Sequence, residues 1–211
     1  MRTRFGRLWT GITSVITTVI AVGWMGWSMR AERVAGSVQH RGVGQRLAEE
    51  VAAVVGPTGR LVVVTLERGT SEALDLQHAA FCRALEAWPG LEVIRTDKVD
   101  GEQGGKYGPG TGLSARRYLR LVEKEPDAAA IVSFIGVPNP EDLPSTNLLT
   151  GPRLVAVSRS PKKLAPLIQS GLLVRAITPR FTFPAPGPEV PATPGEWFEN
   201  RFQVVSEASV H

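Results

Sequence analysis

One cysteine and three histidines in 211 residues leave little for several kinds of chemistry. With Cys82 alone, the chain can close no internal disulfide and can assemble no cysteine-based zinc site. His211 is the last residue and His40 is expected beside a membrane segment near the start, so a histidine-based catalytic triad has only His78 to draw on. His78 and Cys82 stand four apart on an expected helix, where Leu74, Phe81 and Leu85 mark the surroundings as packing. The stretch from Gly101 to Lys106 is rich in glycine but has neither the spacing nor the hydroxyl of a phosphate loop. Adjacent acids such as Glu49-Glu50 and Glu141-Asp142 fall on expected exposed segments and read as solvated charge. No nucleophile and base pair off, so the chain is expected to be no enzyme, with no catalytic residues, no metal and no cofactor. The net charge of +4 is modest, and seven arginines flank the apolar segment near the start, so no nucleic-acid partner is implied.

What is present begins with a run from Leu8 to Met29 without a charged residue. At about 1.5 Å per residue a helix of that length covers the roughly 30 Å hydrocarbon core of a bilayer. Trp9 stands at one end and Trp24 and Trp27 at the other, with Arg7 and Arg30 just outside, the arrangement of a membrane-interface belt. A cleaved signal peptide is the competing reading, but the run exceeds the usual apolar region, and Ala35-Gly36 make a poor cleavage site. A short basic tail, 1–7, is expected to stay inside. That gives a single-pass protein of the inner (cytoplasmic) membrane with a cytoplasmic N-terminus and a periplasmic domain. Threonines and glycines in the run offer surfaces to a second helix, or the hydroxyls bond back to their own helix.

Beyond the anchor, residues 30–56 read as a linker and juxtamembrane helix, with Leu47, Val51, Val54 and Val55 at helical spacing before Gly56-Pro57. Residues 57–178 alternate apolar strands with amphipathic helices. Strands are expected at Leu61–Leu66, Leu91–Asp97, Ala129–Ile135, Leu154–Val157 and Leu172–Ile177. Helices are expected at Ser71–Trp88, at Ser114–Lys124 with Ser114 as cap, and from Ser160-Pro161 to Gly171. The fold class is α/β: an N-terminal transmembrane helix, then a single doubly wound, mostly parallel five-stranded sheet. Residues 179–211 form a proline-rich extension and a terminal segment whose Trp197, Phe198, Phe202 and Val204 should pack back on the body.

The order of several short motifs is familiar. Ala80-Phe81-Cys82-Arg83-Ala84-Leu85 followed by Trp88-Pro89-Gly90-Leu91-Glu92-Val93-Ile94 resembles a stretch of the type I periplasmic binding proteins, the sugar-binding and LacI-like class. Pro126 to Val132, Leu154 to Pro161, Leu167 to Gly171 and the ending Phe202 to Ser206 resemble later pieces of the same family in the same order. Members close two lobes around a ligand held by polar side chains, and this chain has residues for one lobe. In the register of the resemblance, the family's ligand-contacting Arg falls at Gln77, its Asn-Asp at Ile135-Gly136 and its Asp at Ser158. The helix between its third and fourth strands is replaced by the loop Val137 to Pro152. The resemblance therefore implies a lobe without the ligand residues, reused as an accessory or scaffold subunit that contacts integral membrane protein subunits and the bilayer, with a homodimer as the other arrangement. The contacts expected for a partner, or for a sugar-like or anionic ligand in the alternative of a tethered sensor, are Lys106, Tyr107, Arg116, Arg117, Ser133 and Ser158.

Overall fold

The computed structural model describes residues 36–100, 112–144, 151–180, 191 and 193–209. The chain divides into two compact units, residues 1–37 and 38–211, and the second carries the fold set out below. The run Leu8 to Met29, with Arg7, Trp9, Trp24, Trp27 and Arg30, lies outside the described residues. Among the described residues no helix is long and apolar enough to cross a membrane.

Helix α1 covers the described residues 36–55, and Val43, Leu47, Ala48 and Val51 on one ridge of it are fully buried. Such side chains each contribute about 1.5–3 kcal/mol by leaving water, which holds α1 to the sheet. It stops at Gly56, whose φ of 93° suits glycine, and Arg153 donates to the Val54 carbonyl at 2.7 Å. Strand β1 (Thr58–Leu66) leads to α2 (Glu72–Leu85), capped by Ser71. Strand β2 (Gly90–Val99) precedes α3 (Ala115–Lys124), where Ser114 accepts from the Arg117 amide as its spacing predicts. Then follow β3 (Ala130–Ser133), β4 (Arg153–Val157), α4 (Leu164–Gln169), β5 (Leu173–Pro179), α5 (Pro194–Arg201) and β6 (Phe202–Val205).

These strands form one sheet in the order β2-β1-β3-β4-β5-β6, parallel except for β6. Helices α1, α2 and α5 pack on one face and α3 and α4 on the other, so the sheet is doubly wound. Buried on both sides, β1 and β3 need apolar residues at every position of their centres and have them.

Three expectations need correction. The sheet has six strands, not five: Phe202–Val205 pairs antiparallel with Ala176–Pro179. Four residues are too few for a period-two pattern, and the strand exists because α5 turns the chain back and buries Phe202 beside Phe198. The third strand ends at Ser133 instead of Ile135, because the Ser133 hydroxyl turns onto the Gly136 carbonyl. Ser160 does not cap a helix with its side chain; Pro161–Lys163 is a 3-10 turn and α4 starts only at Leu164. Trp197, Phe198 and Phe202 are buried and Val204 packs against the core, as their apolar character predicts.

Between β3 and β4 the described residues contain a 3-10 turn, Pro140–Asp142, and no α-helix. Val137, Leu143 and the fully buried Tyr118 belong to the core on this side, and the Tyr118 hydroxyl lies 3.5 Å from the Pro152 carbonyl.

Candidate binding edge

Five parallel strands place their carboxyl ends along one edge of the sheet. The order reverses between β1 and β3, and open α/β sheets carry a crevice outside the strand ends at such a switch. Glu67 and Arg68 follow β1, Phe134 to Gly136 follow β3, and Ser158 to Ser160 follow β4. Helices α1 and α2 both enter the fold here.

Two of the polar groups at this edge, Ser133 and Ser158, are committed to the fold itself, while Arg68 and Arg159 are exposed and Thr178 Oγ1 is buried without a partner among the described residues. Ser133 is fully buried and its hydroxyl donates to the Gly136 carbonyl at 2.6 Å. Ser158 is buried as well, and its Oγ accepts from the Ser160 amide at 3.3 Å. Gly112 and Gly136 both have positive φ, and a Cβ on Gly112 would stand 2.6 Å from the Val137 carbonyl oxygen. The chain after β3 and the residue leading into α3 therefore meet backbone to backbone, which a side chain at either glycine would prevent.

On the other face, Gln77 of α2 is buried with its Nε2 3.2 Å from Nδ1 of His40 on α1. Its Oε1 is buried without a partner among the described residues. Gly44 lets the two helices touch: a Cβ there would collide with the Gln77 carbonyl oxygen and come within 2.9 Å of the Ala80 Cβ. Burial holds His40 below its ordinary pKa, the nearby Arg159 pushes it the same way, and Glu72 opposes. Next to β1, Glu67 hydrogen-bonds Asp100, and that contact raises its pKa.

No protein-family model and no curated protein matches the sequence. Solved structures do match its fold. A sugar ABC transporter sugar-binding protein from Bacillus halodurans aligns with a TM-score of 0.56 at 17% identity, over 81% of this chain and 63% of that one. A solute-binding protein from Burkholderia graminis, solved with D-arabinose, gives 0.54 at 14% identity, over 80% and 60%. The arabinose-binding protein AraP from Geobacillus stearothermophilus gives 0.54 at 14%, over 81% and 62%. The chain has the fold of one periplasmic-binding-protein lobe. It spans less than two thirds of the length of each of these three proteins.

The four expected contacts among the described residues, Ser133, Ser158, Arg116 and Arg117, have different surroundings. Ser133 and Ser158 reach the strand ends but face inward. Arg117 leaves the edge for β2, with its Nε donating to Asp97 at 2.6 Å and its Nη2 to the Lys98 carbonyl at 3.2 Å. Arg116 is exposed on α3, and Lys106 and Tyr107 lie outside the described residues. His78 packs edge-on against Phe134 at 5.6 Å, with its Nε2 3.6 Å from the Cys82 sulfur. Among the described residues no three His, Cys, Asp or Glu side chains are grouped to hold a metal. The group that sequence reasoning missed is His40, expected beside the membrane segment and found in the fold on Gln77. Its signal was helical phase: residue 40 continues the ridge of Val43, Leu47 and Val51.

Proposed function

We propose that this chain is a non-catalytic, membrane-anchored accessory subunit whose lobe docks on integral membrane protein partners. The observation that carries the reading is the state of the strand-end edge. Ser133 and Ser158 bond to their own turns, and Gln77 is covered by α1 through His40 and Gly44. A sugar site needs polar side chains turned outward, because a bound hydroxyl must replace each hydrogen bond it gives up to water. The uncharged run from Leu8 to Met29, bounded by tryptophans, supports the anchor, and its basic tail supports an inner-membrane protein with the lobe on the periplasmic side.

A tethered small-molecule binder is the second reading. It is favoured by the similar structures, which are described as sugar-binding or solute-binding proteins, and by two buried oxygens without partners among the described residues, Gln77 Oε1 and, at the end of β5, Thr178 Oγ1. In that case two copies would supply the two lobes.

The test is purification of the tagged full-length chain from its native membrane in mild detergent, with size exclusion and mass spectrometry of what stays bound. Elution in an assembly of defined stoichiometry supports the subunit reading. Elution alone or as a homodimer overturns it. A rise in thermal midpoint with D-arabinose or another sugar would then establish the second reading.

A further inference from the structure

Six arginines on the body of the domain are paired with carboxylates. Arg46, Arg60, Arg95, Arg117, Arg175 and Arg180 each meet a carboxylate within 3.7 Å. Helix α3 carries one such pair, through Arg117, and a row of cations outside it. Arg116, Arg120 and Lys124 stand at positions i, i+4 and i+8, all three exposed, and none has an ion-pair or hydrogen-bond partner among the described residues. They form a single row along the ridge that faces away from Tyr118 and Leu121. Successive charges are about 6 Å apart along the axis, inside the roughly 8 Å screening length at physiological ionic strength. Arg116 and Arg120 repel each other across one turn, and an anionic surface against the row would relieve that repulsion. Lys162 and Lys163, just before α4, which packs on the same face of the sheet, also have no ion-pair partner among the described residues.

The acids nearby do not neutralise the row. Glu125 is drawn to Arg95 and Asp97 to Arg117. Glu123 is exposed beside the row without pairing to it, and Glu141 and Asp142 sit in the β3–β4 connection. The exposed side of α3 has no aromatic or large apolar residue to anchor a protein interface, where buried aromatics usually carry the affinity. A plane of diffuse negative charge needs no such anchor and rewards each added cation.

We infer that the α3 face, through Arg116, Arg120 and Lys124, docks on the surface of an anionic phospholipid bilayer. The inference does not depend on the docking partner proposed above. Each cation near an anionic bilayer strengthens association about fivefold, so losing the three together weakens it on the order of a hundredfold.

The experiment uses the full-length chain in a Cys82→Ser background, with an environment-sensitive fluorophore on Glu123→Cys beside the row. A second version carries the fluorophore on Glu86→Cys, exposed at the end of α2 on the opposite face. Each is mixed with vesicles of phosphatidylcholine alone and of phosphatidylcholine with phosphatidylglycerol. The fluorophore at 123 is expected to shift to the blue only with phosphatidylglycerol, and to return in high salt. The one at 86 should stay water-like. Arg116→Gln/Arg120→Gln/Lys124→Gln should abolish the shift, while Arg116→Lys/Arg120→Lys keeps it, since a lipid surface reads charge and not guanidinium geometry. An equal shift on both vesicles, no shift on either, or loss of the shift in the lysine variant overturns the assignment. The last outcome points instead to a specific anionic site on a protein.

Discussion

The imidazole of His40 and the amide of Gln77 meet at 3.2 Å, across a helix pair that brings the segment before β1 over the strand-end edge. The two sides of this contact are unequal. Gln77 is buried and its Oε1 already has no partner among the described residues, whereas His40 is half-buried. His40→Ala should therefore destabilise the domain by about 1–2 kcal/mol, because it leaves the buried amide without its bond. Gln77→Met should be neutral or stabilising, since an apolar side chain of similar size removes an unsatisfied acceptor. Chemical denaturation of the two variants checks the asymmetry.

Acid should weaken the fold through the same contact. Burial lowers the pKa of His40, and burial likewise lowers that of His78, with Asp75 opposing and Lys98 adding. The unfolded chain then takes up protons first as the pH falls through 6.5. Stability is full above that value and declines below it until the folded-state pKa values are reached. The denaturation midpoint, followed from about pH 7.5 to pH 5, should fall, and His40→Asn should flatten the slope.

Gly44→Ala reverses an ordinary rule. An alanine in place of a helical glycine usually gains about 1 kcal/mol. At position 44 the new Cβ meets the Gln77 carbonyl oxygen and the Ala80 Cβ, so α1 must move off α2. A loss of about 1–3 kcal/mol is expected. A midpoint at or above that of the parent would show that the helices do not touch there.

Glu50 holds α1 to the far side of the sheet. Its carboxylate pairs with the guanidinium of Arg46 at 2.9 Å and with that of Arg175 of β5 at 3.3 Å, and its side chain is 11% exposed. The arginines are each more than a third exposed, which limits the penalty of losing their partner. Glu50→Gln should cost about 1–3 kcal/mol, read from the same denaturation midpoint.

Tyr118 gives an optical signature. Burial pushes its hydroxyl up to about 12, so one of the chain's two tyrosines should resist ionisation past pH 10 in the folded protein. The folded state holds that proton longer than the unfolded chain. Its contribution is thus intact below pH 10 and is lost as the pH rises towards 12. Ultraviolet titration should show the delayed step, and Tyr118→Phe should remove it.

Periodicity made much of this architecture legible. Apolar runs such as Leu61 to Leu66 and amphipathic stretches such as Leu74 to Leu85 depend only on neighbours in the chain, and so do the caps at Ser71 and Ser114. The order of these pieces was enough to indicate a periplasmic-binding-protein lobe, and the solved structures agree. Short elements were not legible in the same way. β6 has four residues and exists through pairing with a strand more than twenty residues earlier. Arg117 looked like a free cation near a glycine-rich loop, but its partner Asp97 is twenty positions away.

Sequence by itself determined the alternation of strands and helices, the lack of an internal disulfide or a cysteine-based zinc site, and the uncharged run near the start. These are properties of composition and local spacing. Tertiary structure alone decided which polar groups remain available. Ser133 and Ser158 could have faced a ligand, and His40 could have stayed outside the fold. Hydrogen bonding is directional and each hydroxyl serves few partners. Only the folded backbone around Gly136, Ser160 and Gly44 could turn those groups inward and leave the α3 row of cations facing out.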